Sequence, residues 1–183
     1  MTSSVLAIEP VEKKIYGKTL RLMKGDLTAL SVDAFVFYAR ENLDIGTGYG
    51  TAIQMRGGVA IKKELEGIGG IRMGEAVASG AGEMNANLII HACGPKHLEK
   101  DTETKLRKCM KSSLEVAKEK GVKTLAFPPM GTGFYGVPMP LSSKVMMETI
   151  TEHLRGNTSI EEVTICTVDD RDFNAFKGTF EKI

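Results

Sequence analysis

LAFPPMGTGFYGVP, residues 125–138, opens on an apolar run, passes two prolines and a glycine-rich loop, and ends where a helix can start. With Thr124 in front, the run reads as a short strand at 124–127. Pro138 and Pro140 suit the first turn of a helix. Beyond them the spacing predicts a helix from Leu141 to Leu154, ending before Gly156. Strand, glycine loop and helix in that order put backbone N–H groups and a positive helix end beside whatever the loop faces.

A near copy lies more than eighty residues upstream: GTGYG at 46–50 against GTGFYG at 131–136. It too stands between a predicted strand and a predicted helix. Glycines there permit positive φ and let a phosphate approach the main chain. Tight turns alone explain one isolated GxG, but two matched loops on one small sheet suit a diphosphate gripped from both sides. In open α/β sheets ligands gather at the strand carboxyl ends, where these loops should be neighbours. Two familiar nucleotide loops are excluded. A dinucleotide fingerprint from Gly46 needs glycine at 51, which is Thr51, and a Walker A loop needs a following GK[ST] that neither copy has.

Outward from the loops, short β-rich runs recur at 18–23, 34–38, 76–79, 88–92 and 163–168, mostly continuous in apolar residues. That pattern suits strands covered on both faces. The segment 102–119 repeats Leu106, Met110, Leu114 and Ala117 at helical spacing. It should begin at Asp101 or Thr102 and stop at Gly121. A third helix starts near Gly50, breaks at Gly57-Gly58 and resumes through Ile61 and Leu65. Strands alternating with helices imply an α/β layered sandwich with much of its sheet parallel. No linker or low-complexity tract divides the 183 residues, so a single domain over 1–183 is expected. In the leading segment 1–16, VLAI at 5–8 reads as an extra edge strand and EKK at 12–14 as a solvated turn.

The charge balance, 24 basic against 23 acidic residues for a net +1, provides no field to gather nucleic acid, and none is expected as a partner. Cys93, Cys109 and Cys166 are odd in number, far apart and set in apolar segments. That spacing disfavours a disulfide framework and a zinc site, so no metal or cofactor is expected and a reducing cytoplasm fits. The opening residues lack the signature of a secretory signal, and no apolar run is long enough to span a bilayer, so no membrane association is expected.

Five segments carry a resemblance to the macro domain family: KGDLTALSVDAFV at 24–36, LDIGTGYGTAI at 43–53, MGEAVASGAG at 73–82, LIIHACGP at 88–95 and LAFPPMGTGFYGVP at 125–138. In the family these read approximately as GDIT with VDAIVNAAN, a GGG loop, TGEA, an IH-x-x-GP strand end and FPxISTGxYGxP. The resemblance runs from about residue 18 to 180. It implies a three-layer α/β/α sandwich with a mixed, largely parallel sheet and a cleft for ADP-ribose or a related adenine nucleotide. It further implies that Asp26 accepts the adenine exocyclic amine and that Leu27 lends its backbone beside it. By the same resemblance Gly46, Thr47, Gly48 and Tyr49 approach the distal phosphate and ribose, and Gly131, Thr132, Gly133, Phe134 and Tyr135 wrap the diphosphate. Phe173, after the last strand, is a candidate for packing against adenine. The residues themselves leave alternatives: Asp26 also suits a turn cap, and Tyr135 also suits a lid over its own loop.

Two departures bear on catalysis. The family's NAAN is here FYAR, so Phe37 and Arg40 replace its two asparagines. Arginine accepts no hydrogen bond, carries a permanent charge and reaches further. It either clamps a phosphate or carboxylate or fills the distal-ribose space itself. The position where some hydrolytic members carry a water-activating acid is Gly50. No catalytic residue is assigned, Arg40 being the sole candidate. His91 reads as a structural, hydrogen-bonded histidine and Cys93 as a small buried thiol. Three functions fit these residues: a binding module for ADP-ribose or a close relative, free or on an ADP-ribosylated protein; a hydrolase of ADP-ribosyl esters, ADP-ribose phosphate or ADP-ribosylated protein; and an interaction domain with a filled, vestigial cleft.

Overall fold

The computed structural model describes residues 8–46 and 48–183. Seven strands form one mixed sheet: β1 (Val11–Ile15), β2 (Lys18–Lys24), β3 (Ala34–Ala39), β4 (Ala76–Gly80), β5 (Leu88–Cys93), β6 (Thr124–Phe127) and β7 (Glu162–Thr167). Their spatial order is β1-β2-β7-β6-β3-β5-β4. The five inner strands are mutually parallel, while β1 and β4 pair antiparallel at the two edges.

Strand β3 shows why the architecture has three layers, for all six of its residues are buried. Ala34, Val36 and Tyr38 enter one core, and Phe35, Phe37 and Ala39 enter the other. A period of two divides their side chains between opposite faces. On the first face lie α3 (Thr102–Glu119), α4 (Met139–Arg155) and α5 (Asp170–Phe180), which contribute Leu106, Met110, Val145, Ile150 and Phe176. On the second lie α1 (Tyr49–Gly57) and α2 (Val59–Ile68), packed through Ile53, Ile61 and Leu65.

Helix boundaries reflect local chemistry. Pro138 caps α4 and Pro140 sits in its first turn. Helix α3 unwinds through Gly121, with the Val122 amide 3.0 Å from the Ala117 carbonyl and the Gly121 amide 3.0 Å from that of Lys118. Those paired bonds satisfy carbonyls the helix end leaves open.

The leading segment corrects one expectation. EKK at 12–14 is no turn but the middle of β1, where Lys13 and Lys14 pair with Leu20 and Thr19 of β2. An edge strand with one solvated face tolerates such charges, which also discourage further pairing. Of VLAI at 5–8, only Ile8 falls among the described residues.

Candidate functional site

Strands β3, β6 and β7 run parallel, so their carboxyl ends open on one side of the sheet. A cleft of about 340 Å³ lies there. Its walls come from the end of β3 (Phe37, Tyr38, Arg40), the second glycine loop (Gly131 to Tyr135), the first (Gly48 and Tyr49), and Val168 and Asp172 around the start of α5.

The second loop leaves β6 through Pro128 and Pro129 and closes as a 3-10 turn over Gly133–Tyr135. Gly131 holds a φ of +77°, and a Cβ there would stand 2.8 Å from Val137 and 3.1 Å from the Tyr38 hydroxyl. Only glycine fits that approach. The loop's return is fixed by the Val137 amide bonding the Gly131 carbonyl at 2.9 Å. The amides of Gly131, Thr132 and Gly133 have no acceptor among the described residues. Backbone N–H groups lining a hollow without partners are anion ligands in waiting.

The first loop is built differently. Asp44 Oδ1 takes the Gly46 amide at 3.0 Å, so that amide is spent inside the chain. Gly48 is the N-cap of α1 without any side-chain cap, and the amides of Gly48 and Tyr49 meet no acceptor among the described residues. An uncapped helix start leaves such donors pointing outward with the positive end of the helix dipole. Thr47, expected beside them, lies outside the described residues. Gly50 packs so tightly that a Cβ would be driven into the Ile45 carbonyl. That position therefore holds no carboxylate for a steric reason: the start of α1 rests on the chain just before it.

Arg40 spans the two loops. Its Nη1 lies 3.5 Å from Asp44 Oδ2, and its Cζ stands 5.8 Å from the centroid of the exposed Phe134 ring. Tyr135 packs against Tyr38 with centroids 4.8 Å apart, and the Tyr38 hydroxyl donates to the Pro95 carbonyl. Burial raises the Tyr38 pKa far above its ordinary value. The Tyr49 hydroxyl is buried without a partner among the described residues. Its pKa is pushed up to about 12, first by burial and then by Cys166, Asp26 and Asp172.

Several expected residues stand elsewhere. Asp26 caps the 3-10 turn Leu27–Ala29 through Thr28, whose amide and hydroxyl lie 3.0 and 2.7 Å from Oδ1. Its Oδ2 pairs with Arg56 at 2.9 Å, and neither Asp26 nor the buried Leu27 lines the cleft. The Phe173 ring does not reach the cleft either: it is 2% exposed, packed into the core beneath α5. Helical spacing turns residue 173 inward and residue 172 outward, so Asp172 and Val168, and not Phe173, line the cleft. Those two were missed from sequence. Phe173, Phe176 and Phe180 at helical spacing behind an Asp169 N-cap were the available signal.

His91 and Cys93 are not part of the cleft lining. Burial lowers the His91 pKa to about 4 and raises that of the Cys93 thiol to about 11. A buried imidazole this weakly basic is a poor general base, and a thiol kept protonated is a poor nucleophile at neutral pH. Cys93, Cys109 and Cys166 are all buried free thiols. Among the described residues no group of three His, Cys, Asp or Glu side chains is placed to hold a metal ion, and no helix is long and apolar enough to cross a membrane.

A family model described as Macro domain matches residues 38–146. A macro domain-containing protein of Caldanaerobacter subterraneus is 36% identical to this chain, over 90% of it and 97% of the relative. A Pantoea vagans protein named O-acetyl-ADP-ribose deacetylase 1 is 30% identical, over 87% and 96% respectively. An Oceanobacillus iheyensis macrodomain solved with ADP superposes with a TM-score of 0.90 at 23% identity, covering 95% of this chain and 96% of that one, a likeness of fold.

Proposed function

The chain belongs to the macro domain family, and we propose that it binds ADP-ribose or a related adenine nucleotide diphosphate between its two glycine-rich loops. One observation carries this reading. Unpartnered amides of Gly131, Thr132 and Gly133 on one side, and of Gly48 and Tyr49 at the start of α1 on the other, line a single cleft at the ends of β3, β6 and β7. Opposed backbone donors suit a diphosphate, whose charge is spread over several oxygens. Tyr49 and Val168 offer apolar area for the remainder of the ligand. Asp26 lies outside this lining, so its role as acceptor for the adenine amine requires the ligand to extend past these walls and to displace Arg56 from Oδ2.

The name of the Pantoea relative supports a second reading, hydrolysis of ADP-ribosyl esters. The cleft supplies a cation in Arg40, but Gly50 carries no side chain, and of the carboxylates in the lining Asp44 is engaged by Gly46 and Arg40 and Asp172 lies beside Arg171. Binding is therefore the preferred function. The three buried thiols support a cytoplasmic setting, and the unbroken sheet supports one domain over 1–183.

Thermal unfolding with ADP-ribose, ADP and AMP tests the reading. At about a hundred times the dissociation constant, linkage adds about 2.7 kcal/mol, which raises the melting temperature by about 5–11 °C for a domain of this size. A melting temperature unmoved by millimolar concentrations of all three would refute it.

A further inference from the structure

We propose that Arg40 sets which end-group the cleft accepts, selecting a nucleoside diphosphate that stops at an anionic phosphate over one that continues into a neutral ribose. The inference rests on the adenine-nucleotide reading above. Its ground is a wall between two hollows. Arg40 and Tyr135 line both the cleft of about 340 Å³ and a neighbouring hollow of about 390 Å³. The guanidinium is held in that wall from two sides, by Asp44 at 3.5 Å and by the Phe134 ring at 5.8 Å. Because Asp44 adjoins the first loop and Phe134 belongs to the second, the cation ties the two lips of the cleft together.

The loop amides and the start of α1 lie on the first side of this wall, so a diphosphate finds its donors there. The cleft's volume is at the small end of the roughly 300–1,000 Å³ usual for ligand pockets. A further ribose has to pass the guanidinium and enter the second hollow. That space is bordered by the acidic Glu41 and Glu99 and by Lys96, and among the described residues it meets the glycine loops at Tyr135 alone. A guanidinium donates only, keeps its charge and forms paired bonds with phosphate oxygens. Neutral sugar hydroxyls return less for leaving Asp44 than a terminal phosphate does. Asp44 is the counter-ion displaced by the phosphate, and its Oδ1 keeps the Gly46 amide at 3.0 Å.

Calorimetric titration of the wild type, Arg40→Asn and Arg40→Lys with ADP and with ADP-ribose, at fixed ionic strength, tests the assignment. The wild type should bind ADP at least tenfold more tightly than ADP-ribose. Arg40→Asn should abolish or reverse that ratio by weakening ADP, and Arg40→Lys should keep part of it. Wild-type protein that binds ADP-ribose as tightly as ADP overturns the proposal, needs no variant to do so, and leaves the nucleotide reading standing. An unchanged ratio in Arg40→Asn that melts close to the wild type overturns it equally. Absence of binding to both ligands defeats the nucleotide reading and this inference with it.

Discussion

His91 lies within β5, fully buried, with Nε2 2.8 Å from Ser79 Oγ and its ring edge-on to Phe37. Ser79 Oγ also lies 3.0 Å from the Gly80 carbonyl, and donation there favours the tautomer in which the imidazole donates through Nε2. Nδ1 is left bare and unpartnered among the described residues. A second proton there would be buried without an acceptor, which explains why burial lowers the pKa from 6.5 to about 4. By linkage, the unfolded chain takes up this proton first as pH falls. The His91 contribution is therefore whole above about pH 6.5 and is lost as pH drops toward 4, a difference of about 3 kcal/mol. Burial lowers the His153 pKa as well, which adds in the same direction. An NMR titration should find the His91 ring neutral at pH 5 in the folded protein, and denaturant unfolding should show stability weakening over the same window. A ring titrating near 6.5 would contradict the assignment.

At the scale of elements, Asp33 holds three strand starts in register. Its Oδ2 accepts the Lys123 and Thr124 amides at 2.8 and 3.1 Å before β6, and its own amide is 2.8 Å from Thr124 Oγ1. Its carbonyl takes the amides of Asn87 and Leu88 at the start of β5. Removing the carboxylate strands two amides, so Asp33→Ala should cost about 2–4 kcal/mol. The melting temperature should then fall by roughly 4–16 °C. A loss below 1 kcal/mol in denaturant unfolding would show that other bonds fix the register. Most elements were legible in sequence, for identifiable reasons. The inner strands announce themselves as apolar runs because both faces are covered, and α3 and α4 carry clear stripes, with Gly121 ending the one and Pro138 opening the other. Strand β1 was misread because an edge strand with Lys13 and Lys14 has the composition of a turn. Helix α5 was missed because its acidic first turn hides the Phe173, Phe176 and Phe180 stripe.

For the whole molecule, topology brings together loops more than eighty residues apart. Parallel β3 and β6 are neighbours, so the loops that leave their carboxyl ends emerge on the same side of the sheet. That meeting was legible in the repeated GTG phrase. The inequality of the two loops was legible only in part. Sequence shows the asparagines replaced, but the position of the Arg40 guanidinium depends on Asp44 and Phe134 meeting in space. Nor does sequence reveal that Asp44 consumes the Gly46 amide, or that Ile45 denies residue 50 a side chain. The central claim, that unpartnered amides of both loops hold one diphosphate, is tested most directly by following backbone amide signals during an ADP titration. The signals of Gly48, Tyr49, Thr132 and Gly133 should move together along one saturable curve. Shifts confined to other parts of the chain, or to one loop alone, would contradict it.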